Sequence, residues 1–170
     1  MIELGRVQKL KVIREKEFGI YLGEEGAENG VLLPRKQVPE GTKLGDEMEV
    51  FVYKDSSDRL ISTVRQPKLQ LNELAVLQVV DKGTIGALLD GGLEKVLLLP
   101  FKEQPAPGDV GDRCLVTLYI DKSGRLCATM RVYEYLSAES PYKKEDHVSG
   151  IIYQINPQIG AFVAVDNQYY

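Results

Sequence analysis

The side chains able to do covalent or metal chemistry are few and far apart. His147 is the only histidine and has no second histidine or cysteine beside it, so neither a catalytic triad nor a two-histidine metal site can be assembled around it. It reads as the solvated start of a strand. Cys114 and Cys127 lack metal-ligand spacing and are too few for a disulfide framework; both read as reduced and buried. The carboxylates are scattered over turns and alternating strand positions, and the chain contains no P-loop, dinucleotide fingerprint, nucleophile elbow or paired-acid signature. No catalytic residue, metal ligand or cofactor is assigned, no small-molecule substrate is expected, and the chain reads as a non-enzyme. The basic groups Lys9, Lys11, Arg14 and Arg35, Lys36 could follow a phosphate backbone, although basic residues on solvated faces are commoner. The net charge is −4, with acidic and basic residues near balance along the chain. Any nucleic-acid contact must therefore be local, because counterion release scales with the number of phosphates neutralised.

The elements that would position such groups repeat. Gly45-Asp46-Glu47-Met48-Glu49-Val50-Phe51-Val52-Tyr53-Lys54-Asp55 reappears 66 residues later as Gly111-Asp112-Arg113-Cys114-Leu115-Val116-Thr117-Leu118-Tyr119-Ile120-Asp121. At the same offset Pro34 meets Pro100, Arg59 meets Arg125 and Thr63 meets Thr129. One residue of slippage aligns Phe18-Gly19-Ile20-Tyr21-Leu22 with Ile85-Gly86-Ala87-Leu88-Leu89, and Ile159-Gly160-Ala161-Phe162-Val163 offers a third copy. Each copy reads as β: Met48, Val50 and Val52 alternate with Glu47, Glu49 and Phe51, the two-residue period of a half-buried strand. Turn residues at 55–58 and 121–124 lead into a further strand, closing a hairpin. Earlier strands are expected at 5–15, 18–22 and 30–33, and again at 75–81, 85–90 and 95–99, with proline ending each third strand because it cannot donate to a ladder. Five short strands per copy, with a long link between the third and fourth, predict an all-β chain of tandem five-stranded OB-fold Greek-key barrels. The expected modules are 1–66, 67–137 and 145–170, the last holding only the opening strands of a third, truncated barrel. Hydrophobic residues at 44% suit a chain that buries a core. The longest apolar run, Val96-Leu97-Leu98-Leu99-Pro100-Phe101, is far short of the roughly 20 residues of a membrane helix. No basic segment followed by an apolar stretch opens the chain, so no secretory signal and no membrane contact are expected, and a cytoplasmic setting follows.

Phe18-Gly19 with Tyr21-Leu22, then Gly30-Val31-Leu32-Leu33-Pro34, then Gly45-Asp46, then Asp55 with Arg59 four residues on, resembles the ribosomal S1 RNA-binding domain. The second copy, with Gly92-Leu93-Glu94-Lys95 followed by Leu98-Leu99-Pro100-Phe101-Lys102-Glu103-Gln104, is similar to the second barrel of the bacterial conserved virulence factor B family, in which tandem S1 domains precede a winged-helix domain. The resemblance implies an N-terminal portion of such a protein, with single-stranded RNA as partner and a role in post-transcriptional control of gene expression, virulence genes included. It also implies the contact residues. In S1 domains two aromatics flank the glycine of the second strand, a histidine often stands in the third, an Asp ends the fourth and an Arg begins the fifth. Copy one then offers Phe18, Tyr21, Asp55 and Arg59, with Leu33 at the histidine position. Copy two keeps Asp121 and Arg125 but carries Ile85, Leu88 and Leu99 at the other positions; copy three offers Phe162, with Ile159 at its other aromatic position. An aromatic ring on an open sheet face stacks an unpaired base for about 1–3 kcal/mol, and the intervening glycine is expected to let the nucleotide backbone approach. Copy two, without its aromatics, is expected to bind RNA weakly or to act as a spacer or protein-contact module.

Simple alternation puts Phe18 and Tyr21 on opposite faces unless a bulge at the glycine intervenes. One or both could then be barrel packing, and each Asp–Arg pair could simply close its hairpin. The rival reading is a protein-interaction scaffold whose degenerate OB-folds have lost RNA binding.

Overall fold

The computed structural model describes all residues except Ser56 and Pro107, and contains twelve strands among them. The chain divides into two compact units. One comprises Met1–Leu71 with Gly92–Lys95 and Ile120–Leu126; the other comprises Asn72–Gly91, Val96–Tyr119 and Cys127–Tyr170.

In the first unit β1 (Val7–Lys16), β2 (Gly19–Gly23), β3 (Val31–Pro34), β4 (Glu47–Lys54) and β5 (Leu60–Thr63) close into a barrel in the order β1-β2-β3-β5-β4. Closure depends on β1 serving two neighbours. Its first half pairs with β4 from Val7↔Phe51 to Lys11↔Glu47, and its second half pairs with β2 from Lys11↔Gly23 to Lys16↔Gly19. A bulge between Val12 and Arg14 supplies the bend, since an extra residue on one strand increases local twist and turns its direction. The parallel contact Leu32↔Ile61 between β3 and β5 completes the ring. Alternate side chains fill it: Leu10 and Val12, Ile20 and Leu22, Val31 and Leu33, Val50 and Val52 are all buried and form one cluster. Each such side chain contributes about 1.5–3 kcal/mol of transfer free energy. Phe51 and Tyr53, on the opposite face of β4 where alternation predicts solvent, are also buried and stack on each other with ring centroids 6.2 Å apart. Burial raises the Tyr53 hydroxyl pKa above the ordinary phenol value, helped by the negative charge of nearby Glu94 and Asp55.

The second copy repeats the pattern with β6 (Leu74–Lys82), β7 (Gly86–Leu89), β8 (Leu97–Pro100), β9 (Arg113–Ile120) and β10 (Leu126–Thr129), in the order β10-β9-β6-β7-β8. The bulge recurs between Val79 and Asp81. The barrel is near-closed, with β8 and β10 as the sheet edges. A one-turn 3-10 helix follows the third strand in both copies, Arg35–Gln37 and Phe101–Glu103, and a third such helix covers Tyr133–Tyr135. Cys114 and Cys127 are both buried in this copy, and burial pushes the Cys114 thiol pKa up.

The third copy is a single hairpin, β11 (Gly150–Asn156) with β12 (Gly160–Val165), and it too has a bulge, between Ile152 and Gln154. Two strands cannot enclose a core. The hairpin instead packs Ile151, Tyr153 and Ala164 against Leu74, Leu115, Val132 and Leu136 of the second copy. That packing accounts for Leu115, which sits on the face of β9 opposite the Val116 and Leu118 side chains and is nonetheless buried. The exposed His147 lies just before β11.

Candidate nucleic-acid interface

Phe18 does not belong to β2. It occupies the turn between β1 and β2, so the alternation rule that would point it inward with Ile20 does not apply, and its side chain is 57% exposed. Arg35 holds this turn. Its backbone N–H donates to the Phe18 carbonyl at 3.0 Å, Nε donates to the Glu17 carbonyl at 3.2 Å, Nη2 donates to the Lys16 carbonyl, and Nη1 lies 3.4 Å from the Glu15 carboxylate. A guanidinium with donors fanned in one plane can bind several acceptors at once, which fixes the turn more tightly than a lysine could. Tyr21, one strand position from the buried Ile20, points outward between Arg14 on β1 and Leu32 on β3. The Phe18 and Tyr21 rings meet edge to face with centroids 6.2 Å apart. The Arg14 guanidinium carbon sits over the Tyr21 ring at 4.5 Å from its centroid, a cation–π contact.

Asp55 and Arg59 face this pair from the β4–β5 turn. The Asp55 carboxylate accepts from the backbone N–H groups of Ser57 and Arg59 at 2.8 and 3.0 Å, and from Arg59 Nε at 3.1 Å. The backbone N–H of Arg59 is the main reason that the Asp55 carboxyl is held below the usual aspartate range, followed by that of Ser57 and the Arg59 guanidinium. The pair therefore closes its hairpin, as the structural reading requires. The Arg59 side chain is still 73% exposed, so its guanidinium keeps access to solvent. Together Phe18, Tyr21, Leu32, Asp55, Arg59, Leu60 and Ile61 line a pocket of about 390 Å³. It offers aromatic edges and faces, an aliphatic floor and one cation beside one anion: the chemistry of a stacked base with a phosphate or sugar hydroxyl nearby.

Three expectations need correction. Leu33, placed at the histidine position of the third strand, is fully buried in the barrel core, and the outward residue of β3 is Leu32, opposite Tyr21. The same holds for Leu99, fully buried, against Leu98 opposite Leu88. The one-residue difference matters because neighbouring strand positions face opposite ways. Gly19 has a structural reason of its own: a Cβ there would stand 2.2 Å from the Leu33 carbonyl oxygen, so β2 and β3 can approach only without a side chain. Gly86 repeats this, 2.3 Å from the Leu99 oxygen. Finally, the bulge lies on β1 at Val12/Arg14 and not at the glycine. Sequence reasoning also passed over Leu32, Leu60 and Ile61 as pocket walls and Arg35 as the fastener of the turn. The usable signal for Arg35 was its place directly after the strand-ending Pro34.

In the second copy Ile85 stands where Phe18 does and is 66% exposed, and the backbone N–H of Phe101 donates to its carbonyl at 3.1 Å. Asp121 accepts from the N–H groups of Ser123 and Arg125 at 2.9 and 3.0 Å, repeating the Asp55 turn. Arg125 Nε donates to Asp58 Oδ1 at 2.6 Å, within the first unit as divided above. Ile85, Leu88 and Leu98 offer no ring to stack on. In the third copy Phe162 pairs with Gln154, as Tyr21 pairs with Arg14, but its ring packs on Tyr133 and Tyr153 with centroids 6.3 and 6.1 Å away. Among the described residues no group of three or more His, Cys, Asp or Glu is placed to hold a metal, and no helix is long and apolar enough to cross a membrane.

A five-stranded barrel closed in this order, with aromatic, aspartate and arginine side chains around one outer pocket, defines the S1 class of the OB-fold. The model of the S1 domain family matches residues 4–65 and 73–131, and the chain belongs to that family. Among individual proteins it is 28% identical over 172 residues to the uncharacterized protein YitL of Bacillus subtilis (strain 168), covering 96% of this chain and 57% of that protein. It is 26% identical over 177 residues to conserved virulence factor B of Staphylococcus epidermidis, covering 98% of this chain and 59% of the relative. The chain thus spans under two thirds of the length of these relatives, and the homology is distant. The crystal structure of a multidomain protein with nucleic acid binding domains from Streptococcus pneumoniae TIGR4 superposes with a TM-score of 0.66 at 18% identity, covering 97% of this chain and 60% of that one. The fold is shared.

Proposed function

We propose that this chain holds single-stranded RNA on the outer face of its first barrel, with Phe18 and Tyr21 stacking bases, Arg59 on a phosphate or base and Asp55 orienting that guanidinium. The observation that carries the reading is the pocket in which these four side chains converge, with Arg14 over Tyr21. Stacking without base-edge readout gives binding with little sequence preference. Few phosphates are engaged, so the salt dependence is shallow but finite. The modules 1–66, 67–137 and 145–170 are read as two S1 barrels and the opening hairpin of a third, in a cytoplasmic, non-enzymatic regulator acting on transcripts. The likeness to conserved virulence factor B supports that role and membership of its group.

A protein-contact role for the second barrel is favoured by the exposed Ile85 and Phe101, whose side chains add apolar surface where the S1-face positions 85, 88 and 98 carry no ring. Fluorescence anisotropy of labelled single-stranded RNA at two salt concentrations separates the readings. Binding that weakens as salt rises supports the RNA platform; no binding up to high micromolar protein supports the scaffold.

A further inference from the structure

All of the tyrosines except Tyr21 and Tyr53 fall in the second unit, although its S1-face positions carry none. Three of them line a pocket of about 420 Å³ at the end of β9, a lining that includes none of Ile85, Leu88 and Leu98. Tyr119 lines it from β9, Tyr133 and Tyr135 from the 3-10 helix, and Gln154 from β11. These side chains are held from behind. Val132, fully buried, anchors the start of the helix, and the Tyr133 ring, 48% exposed, leans on Phe162 edge to face and on Tyr170 at 4.6 Å. Arg131 on the rim is fixed by two donations, from Nε and Nη2, to the Lys102 carbonyl at 3.2 and 3.0 Å.

The polar lining selects among ligands. Glu103, which accepts from Thr129 Oγ1 at 2.8 Å, and the exposed Glu134 place two carboxylates at the pocket. They repel a phosphate and leave Arg131 as the one cation of the lining. A flat ring bearing N–H donors suits tyrosyl faces, a side-chain amide and carboxylate acceptors together. We propose that this pocket takes one unpaired nucleobase of a single-stranded RNA, held by stacking on Tyr133, with its N–H edge toward the carboxylates. Guanine, with adjacent N1–H and N2–H donors that one carboxylate can accept together, is preferred over uracil, whose single N–H lies between two carbonyls. The second unit then contacts RNA through a surface other than its aromatic-free S1 face. This inference rests on the RNA reading of the first barrel.

The test uses the full chain and a ten-nucleotide oligouridine carrying one 6-thioguanosine, photo-crosslinked and mapped by mass spectrometry, alongside anisotropy with plain oligouridine. Crosslinks are expected at 119 and within 131–135, persisting in Phe18→Ala/Tyr21→Ala when the probe is raised to compensate for weaker binding, and falling at least about tenfold in Tyr133→Ala. Glu134→Gln, an exposed change that leaves packing intact, is expected to cut the preference for a guanosine-containing oligonucleotide over oligouridine by about fivefold or more, the scale of one bidentate base contact. Crosslinks confined to the first barrel, with 119–135 silent and oligouridine binding normal, overturn the pocket and leave the RNA reading standing. No crosslink and no anisotropy change with either oligonucleotide overturns both.

Discussion

The ring of Phe18, in a hairpin turn, meets the ring of Tyr21, in the following strand, edge to face at 6.2 Å between centroids. The contact is local, but the site it builds is not. Leu32 on β3 and Asp55 and Arg59 beyond β4 complete the same pocket, so only the closed barrel brings these segments together.

Arg35 acts on the site without lining it. Arg35→Ala removes three side-chain tethers from the turn that presents Phe18, while the backbone bond to the Phe18 carbonyl remains. RNA affinity is expected to fall by roughly 3- to 10-fold, with less than about 1 kcal/mol lost in stability because the tethers are exposed. Anisotropy and urea unfolding on the same preparation read the two effects. Lysine at this position, with a single ammonium, is expected not to restore affinity.

Gly19→Ala places a methyl group against the Leu33 carbonyl oxygen, and Gly86→Ala does the same at Leu99. Each is expected to destabilise its own barrel by about 2–4 kcal/mol through strand separation. Hydrogen exchange should report the loss in β2 and β3 for the first variant and in β7 and β8 for the second. A neutral effect at either glycine would mean that the neighbouring strand yields easily.

Acid should loosen the β4–β5 turn. Because the Asp55 carboxyl titrates below its unfolded value, the charged form is favoured by folding. Its contribution is complete above about pH 3.9, the free aspartate value, and is lost as pH falls through the lower folded value. A titration followed by NMR should show Asp55 protonating below the free value in the wild type. In Asp55→Asn the Ser57 and Arg59 amide signals should lose the component that belongs to Asp55, leaving that of Asp58, whose carboxyl is also held low by Arg125.

The docked third hairpin has a test of its own. Leu115→Ala removes apolar contacts beneath Ile151, Tyr153 and Ala164 and is expected to cost about 2–4 kcal/mol. Limited proteolysis should then cut within 150–165 well before the second barrel opens.

Much of this architecture was legible in the chain because it repeats. Two copies of Gly-Asp followed by an alternating strand, each with an Asp–Arg turn, carry the barrel twice over, and the third Gly with Phe162 marks a further hairpin. What alternation could not supply was the conformation of a turn: Phe18 escapes the period-two rule by standing outside β2. Nor could it resolve a one-residue choice inside Leu32-Leu33, where both residues are the same type and only the register with Tyr21 and Ile20 separates wall from core. Burial of Leu115 on the outer face of its strand was equally hidden, since it comes from packing against the third hairpin. Arg14 and Arg35 read only as charge until the folded strands and turn gave them partners.

The central claim rests on the outer face of the first barrel, and one comparison tests it most directly: anisotropy of a labelled single-stranded RNA with the wild-type chain and with Phe18→Ala/Tyr21→Ala, the fold of both checked by thermal melting. Loss of two stacking rings at about 1–3 kcal/mol per base predicts affinity at least about 30-fold weaker, with the melt little changed because Phe18 and Tyr21 lie outside the core. Equal affinity in the two proteins would contradict the account and place the RNA elsewhere on the chain.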